Sequence, residues 1–365
     1  MTKAEPKEHY SNIIARLLLR PIFRDQWIIP RAPRYLDRFF AWYEQNRMVI
    51  DISSIRIDRP IFFLSMPRCG SSMLQNIMCE HTHVAYVTNM MHQFRTCFCA
   101  AEHFRHSLGL DVEGERFIGD SVKVSGGSPA DPVGTWADWL HYDPYSLEYT
   151  ELRATDLPKE TRDRITEDIR KMLWCFDTTG DRRFLCKTPA LLPQMRLLND
   201  LFPDAKFIHL VRDARPSANS LVKLHKRTNE QLQAIRSHDK RLRDDHRAFI
   251  PYPRLPRLQE YVNLYGPEDI RTTAHLWKDG VNYFEQRKRE LGAYLEVRYE
   301  DILQYPESQL QNLLDFCELP PVPPSQTGFW DQIRGVGFVH HKNVYGNFAE
   351  IEEICDTEMR RYGYL

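Results

Sequence analysis

Short, mainly apolar runs punctuate an otherwise mixed chain: 61–64 (IFFL), 183–186 (RFLC), 206–211 (KFIHLV) and 294–298 (YLEVR). Runs of this length, bounded by Pro, Gly or charged residues, are predicted to be buried strands. Between them the apolar positions return at helical spacing. Met73, Leu74, Ile77 and Met78 follow Ser71-Ser72, and Ile165, Ile169, Met172 and Leu173 mark one face of a helix over 157–174, with Pro158 near its first turn. Further helices are predicted over 189–202, from 216 to about 226, over 268–290 and 306–317, and from about 349 to 361. Strands alternating with helices predict the α/β class, a mainly parallel central sheet flanked by helices on both faces.

The remaining stretches are less regular. Residues 1–58 read as mixed-charge helices whose Phe39, Phe40, Trp42 and Tyr43 supply an apolar face, expected to pack on the core. Residues 81–110, rich in His, Met and Cys, read as loop and then helix. From 109 to 143 the signals switch to Gly, Pro and Asp, which predicts a long loop or insertion near a site. Residues 229–247 are highly charged and helical, a solvated face or lid, and 249–262 is a Pro-rich interruption. The expected organisation is a helical segment over 1–58 and an α/β domain over 59–365, with insertions near 90–175 and 229–265. There is no internal repeat.

Composition narrows the partners. The 365 residues carry 49 Lys and Arg against 50 Asp and Glu, a net charge of -1, so no global attraction to nucleic acid or an anionic membrane follows. No apolar run is long enough for an integral membrane segment, and the N-terminal MTKAEPKEHY lacks a signal peptide's apolar core, so the expected location is cytoplasmic. The eight cysteines show no disulfide framework and are expected to be reduced. His92, Cys97, Cys99, His103 and His106 lie close in sequence, but their spacing matches no standard zinc module, and no metal site is expected. Oligomeric state is not legible.

The chemistry concentrates at PIFFLSMPRCGSSMLQNIM, a strand, a sharp turn at Pro67-Arg68-Cys69-Gly70, and a helix opening at Ser71-Ser72. Such a turn offers backbone N–H groups, two hydroxyls and the positive end of a helix dipole to an anion. A nucleotide-hydrolysing phosphate loop requires a Lys before its hydroxyl residue. This turn instead has Arg68, a planar donor fork suited to a phosphate or sulfonate. After the strand at 206–211 come Arg212 and, about a turn into the next helix, Ser220, a second place for an anion. Two such places on one sheet suit a nucleotide phosphorylated at both ends of its ribose.

These residues resemble the sulfotransferases that use 3'-phosphoadenosine 5'-phosphosulfate. FFLSMPRCGSSMLQ is similar to their 5'-phosphosulfate loop, P-R-x-G-[ST]-[ST]; FIHLVRDARPSANSL is similar to their 3'-phosphate element, with Arg212 and Ser220. VRYEDILQYPESQLQNLLDFCELP resembles the strand and helix that place a Tyr, here Tyr299, near the adenine. HHKNVYGNF resembles the late R-K-G-x-x-G-D-W segment, with Lys342 and Gly346 kept while His341, Asn343 and Asn347 depart from it. The resemblance runs from about Pro60 to Phe348. It implies a three-layer, P-loop-like fold and a donor held by Arg68, Cys69, Gly70, Ser71, Ser72, Arg212, Ser220, Tyr299 and Lys342, with no metal.

The implied reaction moves a sulfuryl group to a hydroxyl or amine of a small molecule, lipid or saccharide. It demands positioning, proton removal from the acceptor and stabilisation of the leaving phosphate. Arg68 is the expected leaving-group stabiliser, and Lys187 is expected at the sulfonate or the acceptor. Lys187-Thr188 is followed by Pro189, as in the K-[ST]-P branch, so no catalytic His follows that pair. Where other members place a Glu, about twenty residues past the loop Arg, this chain has Thr88-Asn89. His92 is therefore expected to be the general base, with Glu102 and His103 in reserve. The rival readings are a phosphate-loop kinase-like enzyme and a catalytically silent nucleotide-binding module.

Overall fold

The computed structural model describes residues 13–23, 31–116, 122–238, 250, 252–322, 333 and 342–365. At its centre is a five-stranded parallel sheet, β1 (Ile61–Phe63), β2 (Val84–Tyr86), β5 (Arg183–Lys187), β6 (Lys206–Val211) and β7 (Tyr294–Arg298), in the order β2-β5-β1-β6-β7. Between β2 and β5 a small antiparallel ribbon forms from β3 (Gly114–Glu115) and β4 (Lys123–Val124).

Period-two alternation sends neighbouring residues of one strand to opposite faces. Phe62 and Leu64 join one core with Phe184, Cys186 and Phe207, covered by α6 (Val133–Leu140), α7 (Lys159–Phe176) and α11 (Ile270–Arg287). Ile61 and Phe63 join the opposite core with Leu185, Ile208 and Leu210, covered by α3 (Ser71–Cys79) and α13 (Pro306–Phe316). Each large side chain buried this way contributes about 1.5–3 kcal/mol. This double coverage explains why β1 reads as an unbroken apolar run and why β5 and β6 are mainly apolar.

The remaining helices extend this frame. α1 (Ile13–Phe23) and α2 (Arg34–Arg47) pack with α4 (Asn89–Gln93) and α5 (Phe98–Ser107) in a separate cluster around Phe40 and Phe94. α8 (Met195–Leu201) precedes β6, and α9 (Ala214–His238) follows it. α10 (Leu258–Tyr265) leads into α11, α12 (Tyr299–Gln304) follows β7, and α14 (Phe348–Arg361) closes over α9 and α11 through Ile351, Cys355 and Met359. Among the described residues no helix is long and apolar enough to cross a membrane.

Several expectations change. The helix over 189–202 is a 3-10 turn, Pro189–Gln194, followed by α8, because Pro193 cannot donate to an α-helical ladder. The helix from 216 begins at Ala214 and runs to His238, with Pro216 tolerated in the first turn; the charged stretch beyond 238 up to 249 lies outside the described residues. The loop over 109–143 contains α6, whose Trp136 and Trp139 are buried in the main core. Its apolar residues have helical spacing, but neighbouring Gly and Pro obscured it.

Candidate functional site

The anion turn follows β1 at the carboxyl edge of the sheet, where ligands bind in open α/β folds. Leu64 N–H donates to Ile208 O (2.8 Å), and Leu210 N–H donates to Ser65 Oγ (2.9 Å), so β6 grips the start of the turn. Arg68 (φ 66) and Gly70 (φ 95) take left-handed backbone conformations, which reverse the chain into α3. Gly70 brings no capping side chain. The N–H groups of the first turn of α3 are therefore presented with the positive end of its dipole. Ser71 is buried and Ser72 half-buried; burial pushes the Cys69 thiol up.

The second expected anion element meets the first directly. Arg68 Nε donates to Ser220 Oγ (2.9 Å) across 152 residues of chain, and an Arg212 terminal nitrogen donates to Arg68 O (3.2 Å). The Arg212 guanidinium lies 4.6 Å from the Tyr299 ring centroid, a cation–π arrangement. Tyr299 in turn covers Gly70: a Cβ built there would sit 2.3 Å from two ring carbons, so only glycine allows this approach. Trp277 Nε1 donates to Arg212 O (3.0 Å), anchoring that Arg from α11. Arg68, Gly70, Arg212, Ser220 and Tyr299 thus form one group drawn from three strand ends.

Lys187 ends β5 in register with Phe63, the last residue of β1. It is buried, and its Nζ lies 3.1 Å from Asp131 Oδ2. Lys342 is exposed. Its segment is nevertheless tied to the site. Asn219 and Asn347 exchange amide hydrogen bonds of 3.1 and 2.8 Å, and Lys223 lies 5.0 Å from the Tyr345 ring.

His92 is placed differently from its expected role. It is 3% exposed; burial pushes its imidazole well below the usual range, and Arg95 adds to that shift. Its Nε2 accepts the Gly134 N–H (3.2 Å). A neutral imidazole has one ring lone pair, and here it is engaged, so the geometry counts against His92 as proton acceptor. The reserves are also occupied. Glu102 accepts from Thr88 Oγ1 and from Arg105 Nε (2.8 Å), while His103 stacks on Tyr43 and bonds its hydroxyl (3.2 Å). Among the described residues no three His, Cys, Asp or Glu side chains are grouped to hold a metal.

Sequence reasoning missed the Lys187–Asp131 pair and Gln75, whose buried amide donates to Ala130 O (3.1 Å). The one available signal was the Gly/Pro-rich stretch containing Asp131, read as a loop near a site.

This combination of parallel sheet and paired anion elements accords with the relationships of the chain. Residues 60–250 and 253–324 match the Sulfotransferase family, and the chain belongs to it. Carbohydrate sulfotransferase 2 of Mus musculus is 27% identical over 195 residues, covering 46% of this chain and 36% of that protein. Protein-tyrosine sulfotransferase A of Caenorhabditis elegans is 20% identical over 179 residues, covering 48% and 35% respectively. The match thus spans only about a third of these relatives' length. Sulfotransferase STF9 from Mycobacterium avium shares the fold, with a TM-score of 0.50 at 13% identity over 88% of this chain and 80% of that one. The family match ends before Lys342.

Proposed function

We propose that this protein transfers a sulfuryl group from 3'-phosphoadenosine 5'-phosphosulfate to a hydroxyl or amine of a small molecule, lipid or saccharide. The observation that carries the reading is the joining of the two anion elements through Arg68, Ser220 and Arg212. A nucleotide with anionic groups at both ends of its ribose spans such a pair. The α3 N-terminus with Arg68, Cys69, Gly70, Ser71 and Ser72 suits the 5'-phosphosulfate, Arg212 and Ser220 the 3'-phosphate, and Tyr299 the base, with Lys342 on the segment tied beside Ser220. The donor supplies an activated sulfuryl group, so the protein's work is orientation and charge stabilisation. Arg68 offers donors to the leaving phosphate, where loss of one preorganised donor costs about 2.7–4 kcal/mol. Lys187, paired with Asp131 at the end of β5, suits the acceptor side of the same edge. The name of the carbohydrate relative favours a saccharide hydroxyl among the acceptors.

The test is calorimetric binding of 3'-phosphoadenosine 5'-phosphate in EDTA. Arg212→Ala and Ser220→Ala each remove hydrogen bonds to a charged group, worth about 1.5–3 kcal/mol. Affinity is expected to fall roughly 10- to 150-fold. Unchanged affinity in both variants refutes the assignment, and magnesium-dependent ATP turnover would replace it with a kinase-like reading.

A further inference from the structure

Sulfuryl transfer to a hydroxyl leaves a proton to be taken up, and the side chains expected to take it are engaged elsewhere: His92 by Gly134, and Glu102 by Thr88 and Arg105. A different carboxylate stands at the sheet edge. Asp131 is carried by a loop fastened on several sides. Ala130 N–H donates to Val87 O (2.8 Å), Thr88 and Pro129 form an isolated bridge, Gln75 of α3 donates to Ala130 O, and Val133 N–H donates to Asp131 O (2.9 Å). The loop is thus tied both to the strand that leads to α4 and to the helix that opens at the anion turn.

The side chain itself is half open. Its Oδ2 takes the ion pair with Lys187, among the described residues the only side chain bonded to that carboxylate, and 41% of the Asp131 side chain remains exposed while Lys187 keeps 8%. The buried ammonium holds the carboxylate in one orientation, and the second oxygen is left for a ligand. Lys187 stands in register with Phe63, the last residue of the strand that runs into the turn carrying Arg68, and its charge acts on Cys69 of that turn.

On the sulfotransferase reading above, we propose that Asp131 is the proton acceptor of the reaction, with Lys187 as its orienting partner. The acceptor O–H gives its proton to the free Asp131 oxygen as the hydroxyl oxygen forms a bond to sulfur. The bond from sulfur to the bridging oxygen of the donor's 5'-phosphate breaks, and its electron pair leaves on that phosphate, beside Arg68. Asp131, now a neutral carboxyl, returns the proton to water through its exposed side. Sulfated acceptor, 3'-phosphoadenosine 5'-phosphate and one proton balance the step.

The experiment compares full-length wild type, Asp131→Asn and Asp131→Glu. Labelled donor is incubated with deproteinised cell extract, and separately with 4-nitrophenol, a phenol largely ionised at pH 8. Affinity for 3'-phosphoadenosine 5'-phosphate is measured beside it. Asp131→Asn is expected to label the wild type's extract products about 10²- to 10⁴-fold more slowly. Its nucleotide affinity stays within about threefold of wild type, and Asp131→Glu recovers part of the rate. Transfer to 4-nitrophenolate is reduced far less, since an ionised acceptor has no proton to lose. An Asn variant within about threefold of wild type on extract products overturns the proposal and leaves the sulfotransferase reading standing. So does equal loss with both acceptors, or loss of nucleotide affinity, either of which marks a structural role. A wild type that labels nothing overturns the proposal, and one that also binds no nucleotide overturns both.

Discussion

Replacing Gly70 by Ala tests the centre of the site, because two separable costs meet there. At φ 95 an L-residue occupies left-handed backbone, at about 1–2 kcal/mol. The new methyl would also lie 2.3 Å from Tyr299 Cδ2 and Cε2 and 3.3 Å from Cζ, where carbon atoms settle at about 3.5–4.0 Å. The ring or α3 must retreat by more than about 1 Å. Forced repacking of this kind costs about 1–3 kcal/mol, so the total is about 2–5 kcal/mol. Gly109 supplies the control, having φ +60 and no atom within 4 Å of its built Cβ, so Gly109→Ala carries the backbone cost alone. Urea unfolding of both variants, with Gly70→Ala repeated in a Tyr299→Ala background, isolates the ring's share as a coupling energy. Gly70→Ala should also lose affinity for 3'-phosphoadenosine 5'-phosphate, and Gly109→Ala should not. Equal destabilisation by both, with nucleotide affinity retained in Gly70→Ala, refutes the claim that Tyr299 and the turn form one fitted surface.

Two further outcomes concern stability. Burial pushes the imidazoles of His209 and His225 down to about 4 from an ordinary 6.5. Between those values the unfolded chain binds more protons than the folded one. Stability therefore rises with pH through the window and is lost as pH falls from 6.5 towards 4, by up to about 3 kcal/mol per histidine. Urea midpoints at pH 7.5, 6 and 5 should show this fall, shallower in His225→Leu; an identical slope in that variant would refute the assignment to His225. Separately, Trp139 Nε1 donates to the buried Asp168 Oδ2 (2.8 Å), while burial holds that carboxyl above its usual range. Trp139→Phe keeps most of the ring volume but removes the donor, and should cost about 1–3 kcal/mol in the same assay. A loss below about 0.5 kcal/mol would show the bond to be dispensable.

The strands at Lys206–Val211 and Tyr294–Arg298 and the start of α3 at Ser71 were legible because each depends on residues adjacent in the chain. β2, only Val84–Tyr86, was not, since a three-residue strand in the short stretch between His83 and Thr88 carries too little pattern. It is a strand because its backbone finds Arg183–Leu185 across the sheet. Arg68, Gly70, Arg212, Ser220 and Tyr299 were legible as candidates from residue type, spacing and the resemblance. Their contacts were not: Arg68 meets Ser220 over 152 residues and Tyr299 covers Gly70 from the far end of β7.

What the sequence by itself determined is therefore the alternation of elements, the shape of the anion turn and the kinds of group near it, all consequences of local backbone preference and burial periodicity. The tertiary structure decided which of those groups remains available. The donors that meet His92 and Glu102, like the lysine paired with Asp131, arrive through packing from 42, 14 and 56 residues away.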